Sequence, residues 1–167
     1  MRIGPTILVL LVLLVPPALT SVHAGQSPIS CNLLQPSELE SILGAKPVQL
    51  SATGQGSADM CGGQVGRLKV LIRVARRQDT TGETERRGID ALRKMGVRVE
   101  VKTDGDLTCS TMVPPASLAH LGFNTTCSIL RAGRVVAVEV TALSEQEMAS
   151  MDAVRSLVQK AIVRLVG

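Results

Sequence analysis

The chain has 167 residues, a formal net charge of +4 and a single aromatic residue, Phe123, with no Trp and no Tyr. That length suits one compact domain. The absence of rings argues against sugar clefts, single-stranded nucleic-acid platforms and aromatic cages, all of which recognise their ligands by stacking. Residues 1–24 read as a signal peptide: Met1-Arg2 is a short positive start, Ile7 to Val15 is an apolar block, Pro16-Pro17 breaks it, and Val22-His23-Ala24 offers small residues for cleavage before Gly25. A membrane anchor is the competing reading, but a spanning helix needs about 20 apolar residues. Processing would remove Arg2 and leave 17 basic against 14 acidic residues, a charge of +3. Cys31 lies seven residues beyond Ala24, too far to be a lipidated first residue.

In the remainder, 25–167, the pattern predicts a single secreted α+β domain. Pro36 to Gly44 reads as a short helix, with Pro in its first turn, Glu38 and Glu40 near its positive end and Gly44 as its stop. Pro47 to Ser51 is extended, and Ala52 to Asp59 is a Gly/Ser loop. Met60 to Val65 and Arg67 to Arg77 are strands, the second alternating Leu68, Val70, Ile72 and Val74 on one face. Thr80 and Glu83 fit a capping box for a polar helix running to Met95, with Ile89, Leu92 and Met95 inward. Val97 to Lys102, Leu107 to Val113, Phe123 to Arg131 and Arg134 to Ala142 are further strands. Turns fall at Asp104-Gly105 and Ala132-Gly133, and Ala116 to Gly122 forms one helical turn. Ser144 and Glu147 make a second capping box, and the helix predicted to follow has an apolar stripe of Met148, Met151, Val154, Val158, Ala161 and Leu165. The expected fold is an antiparallel sheet of six or seven short strands with this amphipathic C-terminal helix and two shorter ones.

Four cysteines, Cys31, Cys61, Cys109 and Cys127, remain after processing. An even count in an exported domain reads as two disulfides. Metal binding lacks the paired spacings it needs, and a nucleophilic thiol lacks a partner, His120 being the one histidine left. Four cysteines allow three pairings. An internal duplication points to one: Gly66-Arg67 to Ala75 overlays Gly133-Arg134 to Ala142, each stretch preceded by a cysteine and followed by a helix. Pseudo-repeats of about 31–95 and 97–166 would then each hold one staple, Cys31–Cys61 and Cys109–Cys127. Chance likeness between two β-rich stretches is the alternative.

Cys31-Asn32-Leu33-Leu34, the helix ending Leu43-Gly44, and Cys61 ahead of an alternating strand resemble the small exported actinobacterial domains of the uncharacterised DUF3558 type, mainly over residues 31–77. The chain departs from that group in having no lipoprotein cysteine, no Gly-Asp-Ala segment and almost no aromatics. The resemblance implies an envelope protein, in some relatives a sensor domain, and brings no assigned chemistry.

No residue set forms a catalytic constellation. Asp104 and Asp106 flank a turn glycine, Ser110 and Ser117 have no histidine and acid in order, and the glycines between 54 and 66 are not followed by Gly-Lys-Ser/Thr. Asn124-Thr125-Thr126 is a glycosylation sequon. The distinctive feature is basic: residues 67–98 hold ten basic against four acidic residues, and alternation places Arg67, Lys69 and Arg73 on one strand face. That face is the candidate site for an anionic ligand, against the plainer reading of solvated charge that deters edge aggregation. The expected function is a non-enzymatic, cofactor-free and metal-free extracytoplasmic binding or sensor-like domain, secreted or periplasmic. It would act at the cell envelope on an anionic ligand or a protein, with no nucleic acid and no membrane anchor after processing. The alternative is a secreted interaction or inhibitor protein that adds an edge strand or presents loop 52–59, with a small hydrolase third. A binding domain should show a concave sheet face with convergent polar groups, and an inhibitor a rigid exposed loop near a disulfide.

Overall fold

The computed structural model describes residues 29–47, 49–53, 59–76 and 82–166. Residues 1–24, read from the sequence as a signal peptide, most of the 52–59 loop, Arg77 and Thr80 of the first predicted capping box lie outside the described residues. A short 3-10 turn, Ile29–Asn32, leads to α1 (Pro36–Leu43). The Gln35 N–H donates to Glu38 Oε2 at 2.9 Å, and Gly44, at φ 76, ends the helix. The strands are β1 (Ser51–Ala52), β2 (Asp59–Val65), β3 (Leu68–Arg76), β4 (Arg98–Asp104), β5 (Leu107–Val113), β6 (Phe123–Arg131) and β7 (Arg134–Ala142). They form one antiparallel sheet in the order β1-β2-β3-β7-β6-β5-β4. Between strands run α2 (Gly82–Lys94) and a 3-10 turn, Ala116–Leu121; α3 (Met151–Val166) closes the chain. The α+β architecture and both disulfides, Cys31–Cys61 and Cys109–Cys127, agree with the pattern in the sequence.

Alternation sorts each strand between two faces. One face carries Val70, Ile72 and Val74 of β3, Val136, Val138 and Val140 of β7, and Thr125, Cys127 and Ile129 of β6, all buried. α3 covers this face with Val154, Leu157, Val158, Ala161 and Ile162, and the N-terminal segment adds Leu33, Leu34 and Leu39. α1 packs beside α3. There Arg164 makes a bidentate pair with Glu38, at 2.7 and 2.9 Å, and also donates to Leu33 O at 2.8 Å.

The start of α3 differs from the expectation. Ser144 and Glu147 do interact, hydroxyl to carboxylate at 3.1 Å, but they close only a 3-10 turn, Glu145–Glu147. Met148, at ψ 134, then leaves the helical region and does not join the α3 stripe. Ser150 is the working cap: its Oγ accepts the Ala153 N–H at 3.2 Å. The buried Thr125 hydroxyl donates to Ala149 O at 2.7 Å and ties this approach to β6.

The centre of the sheet has a local twofold relation. β3 pairs with β7 so that Ile72 opposes Val138, Val70 opposes Val140 and Val74 opposes Val136. Cys61 opposes Ile72 in the β2–β3 hairpin, and Cys127 opposes Val138 in the β6–β7 hairpin. Moving 66 positions along the chain therefore carries one hairpin onto the other, about an axis between Ile72 and Val138. The overlay of Gly66 on Gly133 is one residue out: it would set core-facing Val70 and Ile72 against Ala137 and Glu139, which face the opposite way. The place on the core face that mirrors α3 is taken by the 3-10 turn at Ile29–Asn32 and α1. α2 instead lies across the other face at the β4 edge, where the Arg93 guanidinium donates to Val99 O at 3.3 Å.

Candidate functional site

The second face of the sheet is open over β2, β3 and β7, while α2 overhangs it at β5 and β6. Three cross-strand rows cross it. In the middle row Leu71, Glu139, Thr126 and Ser110 are successive pairing partners on β3, β7, β6 and β5. On one side run Lys69, Thr141, Asn124 and Met112; on the other run Arg73, Ala137, Ser128 and Thr108. Glu139 thus stands half-buried near the middle of the sheet, with Lys69 and Arg73 as its diagonal neighbours on β3, about 7–8 Å away by strand geometry. Among the described residues no ion pair ties Glu139, Lys69 or Arg73. The Thr141 hydroxyl donates to Asn124 Oδ1 at 2.5 Å and lies 3.4 Å from Glu139 Oε1, fixing three neighbouring polar groups in place.

Two depressions meet at Glu139. One, of about 540 Å³, lies over Gly62, Lys69, Leu71 and Thr141. The other, of about 260 Å³, runs beneath α2, walled by Ile89 and Leu92 above and by Met112, Asn124 and Thr126 below. The glycines of β2 leave the floor of the first depression low, because Gly62 places no side chain beside Leu71, its pairing partner. The lining is hydroxyl, amide, carboxylate and cation around a small apolar floor. Such groups orient a polar ligand by hydrogen bonds and charge.

The three basic residues singled out from the sequence do not act as one row. Lys69 and Arg73 are exposed on the open face. Arg67 sits in the two-residue turn before β3, and its guanidinium pairs with Glu147 at 2.8 Å. Glu139 was missed in the sequence because alternation within β7 marks it only as outward-facing; its position between Lys69 and Arg73 depends on the pairing register with β3. The other sequence candidates fall elsewhere. His120 is exposed in the 3-10 turn Ala116–Leu121, and Asp104 ends β4 at the turn made by Gly105, φ 59. The sequon residue Asn124 is engaged with Thr141. All four cysteines are in disulfides, and among the described residues no group of three or more His, Cys, Asp or Glu is gathered for a metal ion. No helix among the described residues is long and apolar enough to cross a membrane.

The fold and the site together define a disulfide-stapled α+β domain with a polar, open sheet face. No protein-family model matches the chain, and neither curated proteins nor solved structures yield a match.

Proposed function

We propose that this chain is a non-enzymatic extracytoplasmic binding or sensor-like domain that holds a polar ligand on the open sheet face. The observation that carries the reading is Glu139, half-buried between Lys69 and Arg73 where the two depressions meet. A carboxylate flanked by two cations fits a ligand bearing charges of both signs, such as a peptide or amino-acid derivative: its ammonium on Glu139, its carboxylate on Lys69 or Arg73. The hydroxyls of Thr126, Ser128 and Thr141 add sequence-tolerant hydrogen bonding. Export is supported by the 1–24 pattern and by two disulfides, which persist in oxidising compartments. The likeness of residues 31–77 to the DUF3558 type agrees with an envelope location.

The test is amide chemical-shift mapping of the protein with a panel of amino acids and short peptides, repeated on Glu139→Gln and on the double variant Lys69→Ala/Arg73→Ala. Shifts should cluster on 69–75, 124–128 and 137–141, and both variants should weaken binding. Shifts that cluster elsewhere, or persist unchanged in both variants, refute this site.

A further inference from the structure

A second charged feature arises from strand pairing. Arg76 of β3 opposes Arg134 of β7, and Arg134 in turn opposes Arg131 of β6. Directly paired residues share a face, so three arginine side chains leave the sheet from adjacent positions on three neighbouring strands. Strands lie about 4.7–4.9 Å apart, which puts the outer two bases of the row about 10 Å from each other. All three side chains are exposed. Arg131 and Arg134 flank the two-residue turn Ala132-Gly133, whose φ values of 50 and 72 fit the tight hairpin type that holds its flanking pair in register.

Like charges directly opposite in a sheet repel and destabilise it. Four other arginines are neutralised: Arg67 reaches Glu147 at 2.8 Å, Arg98 reaches Glu145 at 2.6 Å, Arg164 reaches Glu38 at 2.7 Å and Arg93 reaches Asp90 at 3.7 Å. Among the described residues Arg76, Arg131 and Arg134 have no carboxylate within 4 Å. Three uncompensated cations in register, on backbone fixed by ladder hydrogen bonds, leave a preformed positive strip.

We propose that this row binds a soluble anion carrying two or more linked phosphate groups. Guanidinium forks match phosphate oxygens in bidentate fashion and keep their charge at every physiological pH. Two adjacent arginines suffice for one phosphate; the third has a partner only if the ligand extends along the row. A membrane headgroup would supply the same chemistry. However, the apolar side chains next to the row on its own face, Val74, Val136 and Ile129, are buried in the core, and Leu130 and Val135 project to the opposite face, so the row offers no exposed apolar side chain for insertion beside the phosphates. The row lies on the core-face side of the sheet, beyond the helices, and is distinct from the open face around Glu139.

The experiment titrates the full chain with tripolyphosphate and with inorganic phosphate at matched ionic strength, by calorimetry and thermal unfolding. It is repeated on Arg131→Gln/Arg134→Gln, on Arg76→Gln and, as a control, on Lys69→Ala/Arg73→Ala. Tripolyphosphate should bind saturably and raise Tm, inorganic phosphate should do much less, and the double Gln variant should bind at least about tenfold more weakly. That variant should also be no less stable than wild type without ligand, because repulsion is relieved. Arg76→Gln should show an intermediate loss, and Lys69→Ala/Arg73→Ala should keep the full response. Equal responses to tripolyphosphate and phosphate, or an unchanged response in the double Gln variant, would overturn the proposal. So would binding to phosphatidylglycerol vesicles with none to tripolyphosphate.

Discussion

Glu38→Gln tests how the N-terminal segment is fastened to the core. The Glu38 carboxylate accepts both terminal nitrogens of Arg164, at 2.7 and 2.9 Å, and the Gln35 N–H at 2.9 Å, with Lys160 3.6 Å away. The Arg164 hydrogen bonds are the largest influence on its ionisation. Partial burial opposes them, and the Gln35 N–H and the charges of Arg164 and Lys160 assist. Together they hold Glu38 at about 2, against an ordinary value of 4.5. Arg164 is raised in turn by the same carboxylate. Unscreened, a displacement of that size corresponds to roughly 3 kcal/mol. The Arg164 side chain is 32 % exposed, so solvent screening brings the contribution to about 1–2 kcal/mol.

The sign follows from the lowered value. The folded protein binds this proton less readily than the unfolded chain, so the stabilisation is complete above about pH 4.5 and is lost as pH falls towards 2. Urea unfolding, which leaves charges unscreened, should show Glu38→Gln about 1–2 kcal/mol less stable than wild type near neutral pH. The gap should close as the solution is acidified through that window. A gap that stays constant between pH 4.5 and 2 refutes the linkage, and no gap at neutral pH refutes the importance of the pair.

The two disulfides span 30 and 18 positions, so removing either by paired Cys→Ser substitution should cost about 3–4 kcal/mol in the chain-entropy account; non-reduced peptide mapping that links Cys31 to Cys109 or Cys127 would contradict the pairing. Ser150→Ala should cost about 1 kcal/mol in urea unfolding, and Ser144→Ala distinctly less; the reverse order would return the cap of α3 to Ser144.

Strand positions were the most legible part of the sequence. β6 and β7 run over the residues their alternation predicts, because each buries one face and exposes the other and Ala132-Gly133 supplies a two-residue turn. β1 was less visible: two residues long, it exists through its pairing with β2, a tertiary contact with no local signature. α2 offered only Ile89, Leu92 and Met95 as apolar markers. Ile89 and Leu92 are half-buried, while Met95 is 53 % exposed just past the helix. So polar a helix does not announce which side of a sheet it will take. The start of α3 was misplaced because Ser144-x-x-Glu147 satisfies a capping template in its side chains while Ser150-x-x-Ala153 satisfies the backbone, and only the second bond continues into a helix.

Register decides which side chains meet, and it was the least legible quantity of all. Alternation in β3 and β7 separately says that Lys69, Arg73, Glu139, Arg76 and Arg134 project from strands; it does not say that Glu139 lies between the first two or that the last two are opposed. The information was partly present in the cysteines. Cys61 and Cys127 are 66 positions apart, whereas the matching glycines Gly66 and Gly133 are 67 apart. The two spacings cannot both describe one repeat. A glycine serves either position of a two-residue turn: Gly66 is the first in its turn and Gly133 the second. A buried half-cystine has no such freedom, since a slip of one residue would turn it to the opposite face. Where the two disagree, the cysteine spacing is the physical one, and adopting it aligns Val70, Ile72 and Val74 with Val136, Val138 and Val140, all of them on the core face.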